Sequence, residues 1–323
     1  MLTIVMYHYV RDLAGSRYPR IKGRSVETFE CQLDYIAANY RVCSQADVVD
    51  AVQGKRRLPD RACVLTFDDG IRDHFDEVFP RLKQRGWTGA FFPPAHPIEN
   101  RRVLDVHKLH FVLAVCKDAD KLARRALNLV ADHRNSHDIP ADNELMARFT
   151  SESRFDPPSV IFIKRLLQHG LPPAVRTAVT HELFARIVTR DESSFADELY
   201  VSLEQLREMQ ADGMEIGGHG DRHEWLEHMS SQEQDVEIDR TLAFLDRVYG
   251  RRKADWAMCY PYGSYNAQTL QLLRTKSCAI GLTTRVGVNL ALSNPLELMR
   301  LDTNDLPCPD SLHLLRHPNS KQP

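Results

Sequence analysis

VLTFDDG, residues 64–70, closes an apolar run with two adjacent carboxylates and a glycine. Val64 to Phe67 read as a buried strand, since a short apolar run bounded by turn residues suits a strand packed on both faces. Asp68-Asp69 is harder to place. Neighbouring ionised side chains repel, and a turn after a strand rarely needs more than one Asp. The doublet either caps a turn or sits where something positive binds.

Outward from it, strand-like runs alternate with helical patterns. LTIVMYHYV (2–10) precedes VETFECQLDYIAANY (26–40), where Phe29, Leu33, Ile36 and Ala37 fall at helical spacing. ACVLTFDDG (62–70) precedes DHFDEVFPRLKQRG (73–86), with Phe75, Val78, Phe79 and Leu82 on one face, and WTGAFFPP (87–94) is the next strand. Later, SLEQLREMQADG (202–213), which Ser202 caps, leads into MEIGGH (214–219). SQEQDVEIDRTLAFLDRVYG (231–250) leads into ADWAMCYPYG (254–263), and NAQTLQLLRTKSC (266–278) into AIGLTT (279–284). Repeated strand–helix units imply a parallel sheet, open or closed into a barrel. Between about 100 and 200 the rhythm changes to successive helices, broken by Pro157-Pro158 and Pro172-Pro173. The whole of 1–323 is therefore expected to be one α/β domain with a helical insertion at approximately 100–200.

Composition narrows the partners. Of 323 residues 43% are hydrophobic and 27% charged, with a net charge of −2, which argues against general nucleic-acid binding and a polybasic membrane tail. No stretch approaches the roughly 20 apolar residues of a membrane span. The N-terminus reads as a first strand, without the basic segment of an export signal. Seven scattered cysteines without CxxC spacing suggest reduced thiols, so a cytoplasmic location is expected. The oligomeric state is left open, and the HPNSKQP tail reads as disordered.

Polar residues gather at the C-terminal ends of the predicted strands, where ligands bind in parallel α/β folds. Asp68 and Asp69 end one, His219 another, with Asp221 and His223 just beyond, and Tyr260 to Gly263 a third. His219 and His223, four apart in HGDRH, can face one ion, and a carboxylate from TFDDG adds a third ligand while leaving a position open. If Asp69 ligates a cation, its charge is neutralised and Asp68 stays ionised beside it. Asp68 is then a general base for a water whose pKa the ion lowers.

TFDDG, HGDRH and CYPYGSYN (259–266), in that order, resemble the polysaccharide deacetylase family, the NodB homology domain of carbohydrate esterase family 4, over about 1–98 and 200–305. The resemblance implies a distorted (β/α) barrel and metal-assisted hydrolysis of an N-acyl, or sometimes O-acetyl, group on a sugar. It implies Asp68 as base and Asp69, His219 and His223 as ligands of zinc or another first-row divalent ion. It further implies a backbone N–H of Tyr262 as donor to the oxyanion. The usual Arg is missing before Pro261, where Cys259 and Tyr260 stand, and Arg300 in LELMRLD is expected to orient the base instead. His8 is expected to line the pocket as acid or substrate contact. His313 and His317 are further candidates for the acid, and His107 with His110 suggests at most a second pair of ligands.

The reading is thus a cytoplasmic, metal-dependent carbohydrate N-deacetylase, most simply a zinc enzyme. Its substrate would be an N-acetylated amino sugar in a saccharide or glycan precursor, nucleotide- or lipid-linked. Deformylase or other amidase activity on the same scaffold, or a non-catalytic binding relative, are the alternatives. No further cofactor is expected.

Overall fold

The computed structural model describes residues 1–153, 156–251 and 254–307; Cys308, His313, His317 and the HPNSKQP tail lie outside them. Contacts divide the chain into two compact units. One holds Met1–Asp12, Gly23–Asn100 and the described residues from Asp197 on; the other holds Leu13–Lys22 and Arg101–Ala196.

The first unit is built on eight strands: β1 (Leu2–Tyr7), β2 (Arg41–Val42), β3 (Ala62–Asp68), β4 (Ala90–Phe92), β5 (Glu215–Ile216), β6 (Trp256–Cys259), β7 (Cys278–Val286) and β8 (Leu298–Asp302). They run in the order β5-β4-β3-β1-β8-β7-β6, with β2 beside β3, and every pairing is parallel. Beyond β5 the chain continues to Gly218, which bridges Met258 of β6. Gly218 N–H donates to Ala257 O at 2.9 Å, and Cys259 N–H to Gly218 O at 2.8 Å. The sheet thereby curls until its two ends meet, giving a distorted (β/α) barrel.

Alternation along β3 decides which residues look inward. Cys63, Leu65 and Phe67 pack outward with Phe29, Leu33 and Ile36 of the helix Val26–Asn39 and with Phe244 of the helix Ser231–Tyr249. Val64 joins Ile4, Phe92, Ala257, Cys259, Ile280 and Leu298 in the other apolar cluster, on the inner face. Thr66 and Asp68 follow Val64 at intervals of two and so share that face. On β8, Arg300 follows Leu298 in the same way. The parallel pairings thus carry a carboxylate and a guanidinium into the same interior.

The helices start where side-chain oxygens can take the free N–H groups of the first turn. Ser25 accepts from Thr28 N–H, while Ser202 and Ser230 each form a reciprocal cap with the residue three positions on, Gln205 and Glu233. Gly250 ends the helix Ser231–Tyr249 in the left-handed region at φ 67°. The helix expected over 73–86 opens with a π-helical turn, His74–Val78, before the α-helix Phe79–Gln84. Pro80, which has no N–H to give, stands where the two meet.

The second unit contains the helices Asp105–Val115, Ala119–Ala131, Asp142–Phe149, Pro158–Arg165 and Pro173–Ile187. Its core includes Phe111, Phe184 and Phe195, whose rings meet edge to face at 4.8 and 5.2 Å. Lys108, buried, is paired with Glu192 at 3.1 Å, and Glu192 also accepts Val103 N–H at 2.9 Å. No described helix is long and apolar enough to cross a membrane.

Closure leaves no room at Gly217, where an added Cβ would lie 2.4 Å from Phe92 Cε1 and 2.9 Å from Ala257 O. Gly217→Ala is expected to lower stability by about 1–3 kcal/mol through overpacking. A shift of the urea unfolding midpoint measures this, and an unchanged midpoint would contradict the seam described here.

Candidate active site and metal centre

The acidic doublet is separated by a change of backbone conformation. Asp68 completes β3, but Asp69 turns left-handed at φ 76° and Gly70 follows at φ 62°. A Cβ at position 70 would lie 2.7 Å from Pro93 Cβ, so both the turn and the packing ask for glycine. Asp69 N–H donates to Phe92 O at 3.0 Å, which fixes the turn to the end of β4. The two carboxylates consequently meet different partners.

Asp68 meets Arg300. Arg300 Nη1 donates to Asp68 Oδ1 at 2.9 Å, and Nη2 lies 2.8 Å from Oδ2. The guanidinium is itself held by Thr283 O, which accepts from Nε at 2.9 Å, and by Thr66 Oγ1 at 3.2 Å from Nη1. Both charges are buried, Arg300 at 1% exposure and Asp68 at 2%. Burial by itself pushes the Asp68 carboxyl up, but the charge of Arg300, then that of His219 and the Arg300 hydrogen bond, outweigh it and hold the group at about 2. Asp68 is thus a carboxylate throughout the ordinary pH range.

Asp69 meets the histidines. Its Oδ1 lies 3.3 Å from Nε2 of His219 and 3.3 Å from Nε2 of His223. His219 Nδ1 lies 2.8 Å from Cys259 O; a carbonyl can only accept, so Nδ1 carries a proton and Nε2 is the nitrogen turned to Asp69. All three side chains are buried, and their ligand atoms lie within 4.8 Å of one another. Donors about 2.0–2.1 Å from a shared tetrahedral ion lie roughly 3.3 Å apart. Two imidazole nitrogens and a carboxylate facing each other at that spacing form a donor set that fits a cation. Asp68, His219 and Cys259 also converge. There, however, the carboxylate already carries the Arg300 guanidinium, and a second cation would be repelled.

The loop that presents the histidines is held from two sides. Gly220 O and Asp221 O accept from the N–H groups of Ala95 and His96 at 3.2 and 2.9 Å, at the start of the helix Ala95–Asn100. From the helix Ser231–Tyr249, Glu237 Oε1 accepts the N–H groups of Asp221 at 2.9 Å and Arg222 at 2.7 Å. Asp221 therefore contributes its backbone to the loop, while its side chain pairs with Arg240 at 3.1 Å.

His8, just past β1, stands on the rim with its side chain 41% exposed and Nε2 4.0 Å from Asp69 Oδ2. His74 Nε2 donates to the His8 carbonyl at 2.9 Å, and burial drives His74 down to about 4, so it is neutral. Tyr262 is left-handed at φ 57°, its ring 4.6 Å from His223 and stacked on Trp225 at 4.4 Å and 5°. The structure therefore brings together Asp68, Asp69, His219, His223, Arg300, His8 and Tyr262. His107 and His110 belong to the helix Asp105–Val115 of the second unit. Sequence reasoning missed Glu237 and Trp225, and it noted Cys259 only as the absence of an arginine. A glutamate on the inward side of an amphipathic helix was the available signal for Glu237.

Comparison with known proteins agrees with this fold. Residues 184–279 match the family described as polysaccharide deacetylase. The poly-beta-1,6-N-acetyl-D-glucosamine N-deacetylase of Escherichia coli (strain K12) is 31% identical over 90 residues, 28% of this chain and 13% of that enzyme. The fold resembles the deacetylase PplD of Streptococcus pyogenes, solved in complex with acetate (18% identity, TM-score 0.59, 97% of this chain and 96% of that one). It also resembles IcaB from Ammonifex degensii (20% identity, TM-score 0.57, covering 97% and 94%).

Glu237 gives the site a measurable pH signature. Burial pushes its carboxyl up to about 7, above its ordinary 4.5. The folded state binds this proton more tightly than the unfolded chain, so stability falls as pH rises from about 4.5 to about 7 and is level above. Glu237→Gln keeps an acceptor oxygen without the charge. Its stability relative to wild type is expected to improve across that window by on the order of 1–3 kcal/mol. Urea titrations at pH 5 and pH 8 measure it, and a pH-independent difference would contradict the assignment.

Proposed function

We propose that this chain, which resembles the polysaccharide deacetylases in sequence over residues 184–279 and in fold over nearly its whole length, is a metal-dependent hydrolase that removes the acetyl group from an N-acetylated amino sugar. The observation that carries the reading is the division of the Asp68-Asp69 doublet, one carboxylate on Arg300 and the other facing two imidazoles.

Asp69, His219 and His223 would hold the ion, and a two-nitrogen, one-carboxylate donor set suits zinc first among the divalent metals. When bound, such an ion polarises the amide carbonyl and makes a water more acidic. Asp68 accepts the proton of the attacking water, its orientation set by Arg300. The backbone N–H of Tyr262, in the left-handed turn beside His223, donates to the oxyanion that develops on the carbonyl oxygen. His8, exposed on the rim, protonates the departing amine.

The substrate is a saccharide or glycan precursor carrying N-acetyl groups, with a nucleotide or lipid carrier as one form. The likeness to an enzyme named for poly-beta-1,6-N-acetyl-D-glucosamine favours a second reading, in which the polymer itself is the substrate. That alignment covers only 13% of the relative, so the activity of the whole relative is not carried over as established. The scattered thiols Cys43, Cys63, Cys116, Cys259 and Cys278 support a reducing compartment such as the cytoplasm.

Asp69→Ala and His223→Ala are expected to lose both bound metal, measured by elemental analysis, and acetate release from N-acetylglucosamine oligomers. Asp68→Asn is expected to keep the metal and lose activity by roughly 10²–10⁴-fold. Full activity in Asp69→Ala would sink the proposal. A panel of N-formyl, N-acetyl and non-sugar amides separates deacetylase from deformylase and general amidase, and inactivity on all of them would leave a binding protein.

A further inference from the structure

One side chain touching the base has no place in this mechanism. Cys259 ends β6 inside the barrel, fully buried, with Sγ 3.3 Å from Asp68 Oδ2. A carboxylate can only accept, so the thiol hydrogen lies between the two atoms and Cys259 is the donor. The contacts of Asp68 are therefore unequal. Oδ1 meets Arg300 Nη1 at 2.9 Å, whereas Oδ2 meets both Arg300 Nη2 at 2.8 Å and the thiol at 3.3 Å. Each carboxylate oxygen offers about two lone-pair directions. Oδ1 accepts from the guanidinium, whereas Oδ2 accepts from the thiol and is ion-paired with Nη2 besides, so Oδ2 is the more crowded oxygen.

The same residue reaches the metal ligands through its main chain. Its carbonyl takes the His219 Nδ1 proton at 2.8 Å, and its N–H bonds to Gly218 O at 2.8 Å, one residue before His219. Residue 259 thus ties the base to the ligand loop. The main-chain half of this link is independent of the side chain, so the thiol can be removed while the His219 contact remains.

We infer that Cys259 is a positioning residue whose thiol occupies Asp68 Oδ2 and so selects Oδ1 as the oxygen that accepts the proton from water. The inference rests on the proposal that Asp68 is the base. Without the thiol, the carboxylate has two competent oxygens and more freedom to rotate about its bond to Cβ. The proton transfer slows, while substrate binding and metal binding are untouched.

Cys259→Ala and Cys259→Val both remove the donor, and valine preserves bulk in the buried strand should alanine fail to fold. Each is expected to lower kcat about tenfold, the worth of one hydrogen bond to a charged group, with KM and bound zinc unchanged. Cys259→Ser, which keeps a hydroxyl donor, is expected to fall between these variants and wild type. Crystal structures of metal-free Cys259→Val and wild type supply a readout besides activity: the Asp68 carboxylate is expected to rotate in the variant. The inference is overturned by a kcat within twofold of wild type, by a loss that follows zinc content or KM, or by equal defects in all three variants. Asp68→Asn, run alongside, separates the two levels. If it is inactive and Cys259→Val is unimpaired, only this inference falls; if it retains wild-type kcat, the base assignment falls and takes the inference with it.

Discussion

Two adjacent carboxylates must each find a positive counterpart, and the site is arranged around that requirement. Ionised neighbours at the end of a buried strand would otherwise cost the fold heavily, since unpaired charge in a dry interior is among the most expensive features a protein can carry. The left-handed turn at Asp69 resolves the conflict by sending successive side chains to separate partners. Asp68 continues the inward alternation of β3 and reaches Arg300. Asp69 leaves that alternation and reaches His219 and His223.

That division sets the chemistry of each group. A carboxylate held by a guanidinium stays ionised, so in the proposed reaction Asp68 would accept a proton readily only from a water made acidic. An ion held by the neighbouring donor set would do this. The surrounding elements serve to keep the two halves in register. The loop carrying the histidines is gripped by main-chain bonds from the helix Ala95–Asn100 and by Glu237 from the helix Ser231–Tyr249, in addition to the bond from His219 to Cys259 O.

Much of this was legible as residue order. TFDDG, HGDRH and PYG are each contiguous, and each lies where an apolar run ends, so the strand ends and the ligand candidates could be read locally. Strand–helix alternation likewise gave the fold class, because buried parallel strands and amphipathic helices have different apolar periods. Less legible were β8 and the helix Gln45–Val52. The first mixes Arg300 and Asp302 into a five-residue run, and the second is only eight residues long, so neither shows a clear period. The π-helical turn at His74–Val78 carries the same apolar pattern as an α-helix, and so escaped notice.

Residue order by itself determined the class of fold and the kinds of side chain brought to the strand ends, because both follow from short-range patterns of polarity. The tertiary structure alone decided which charges became partners. Arg300 lies 232 positions from Asp68 and meets it because β1 stands between β3 and β8, while their inward faces share one narrow interior. Cys259, 191 positions away, reaches the same carboxylate because Gly218 joins β6 to the far end of the sheet. Pairings of that kind depend on strand order and closure, which no local stretch of sequence encodes.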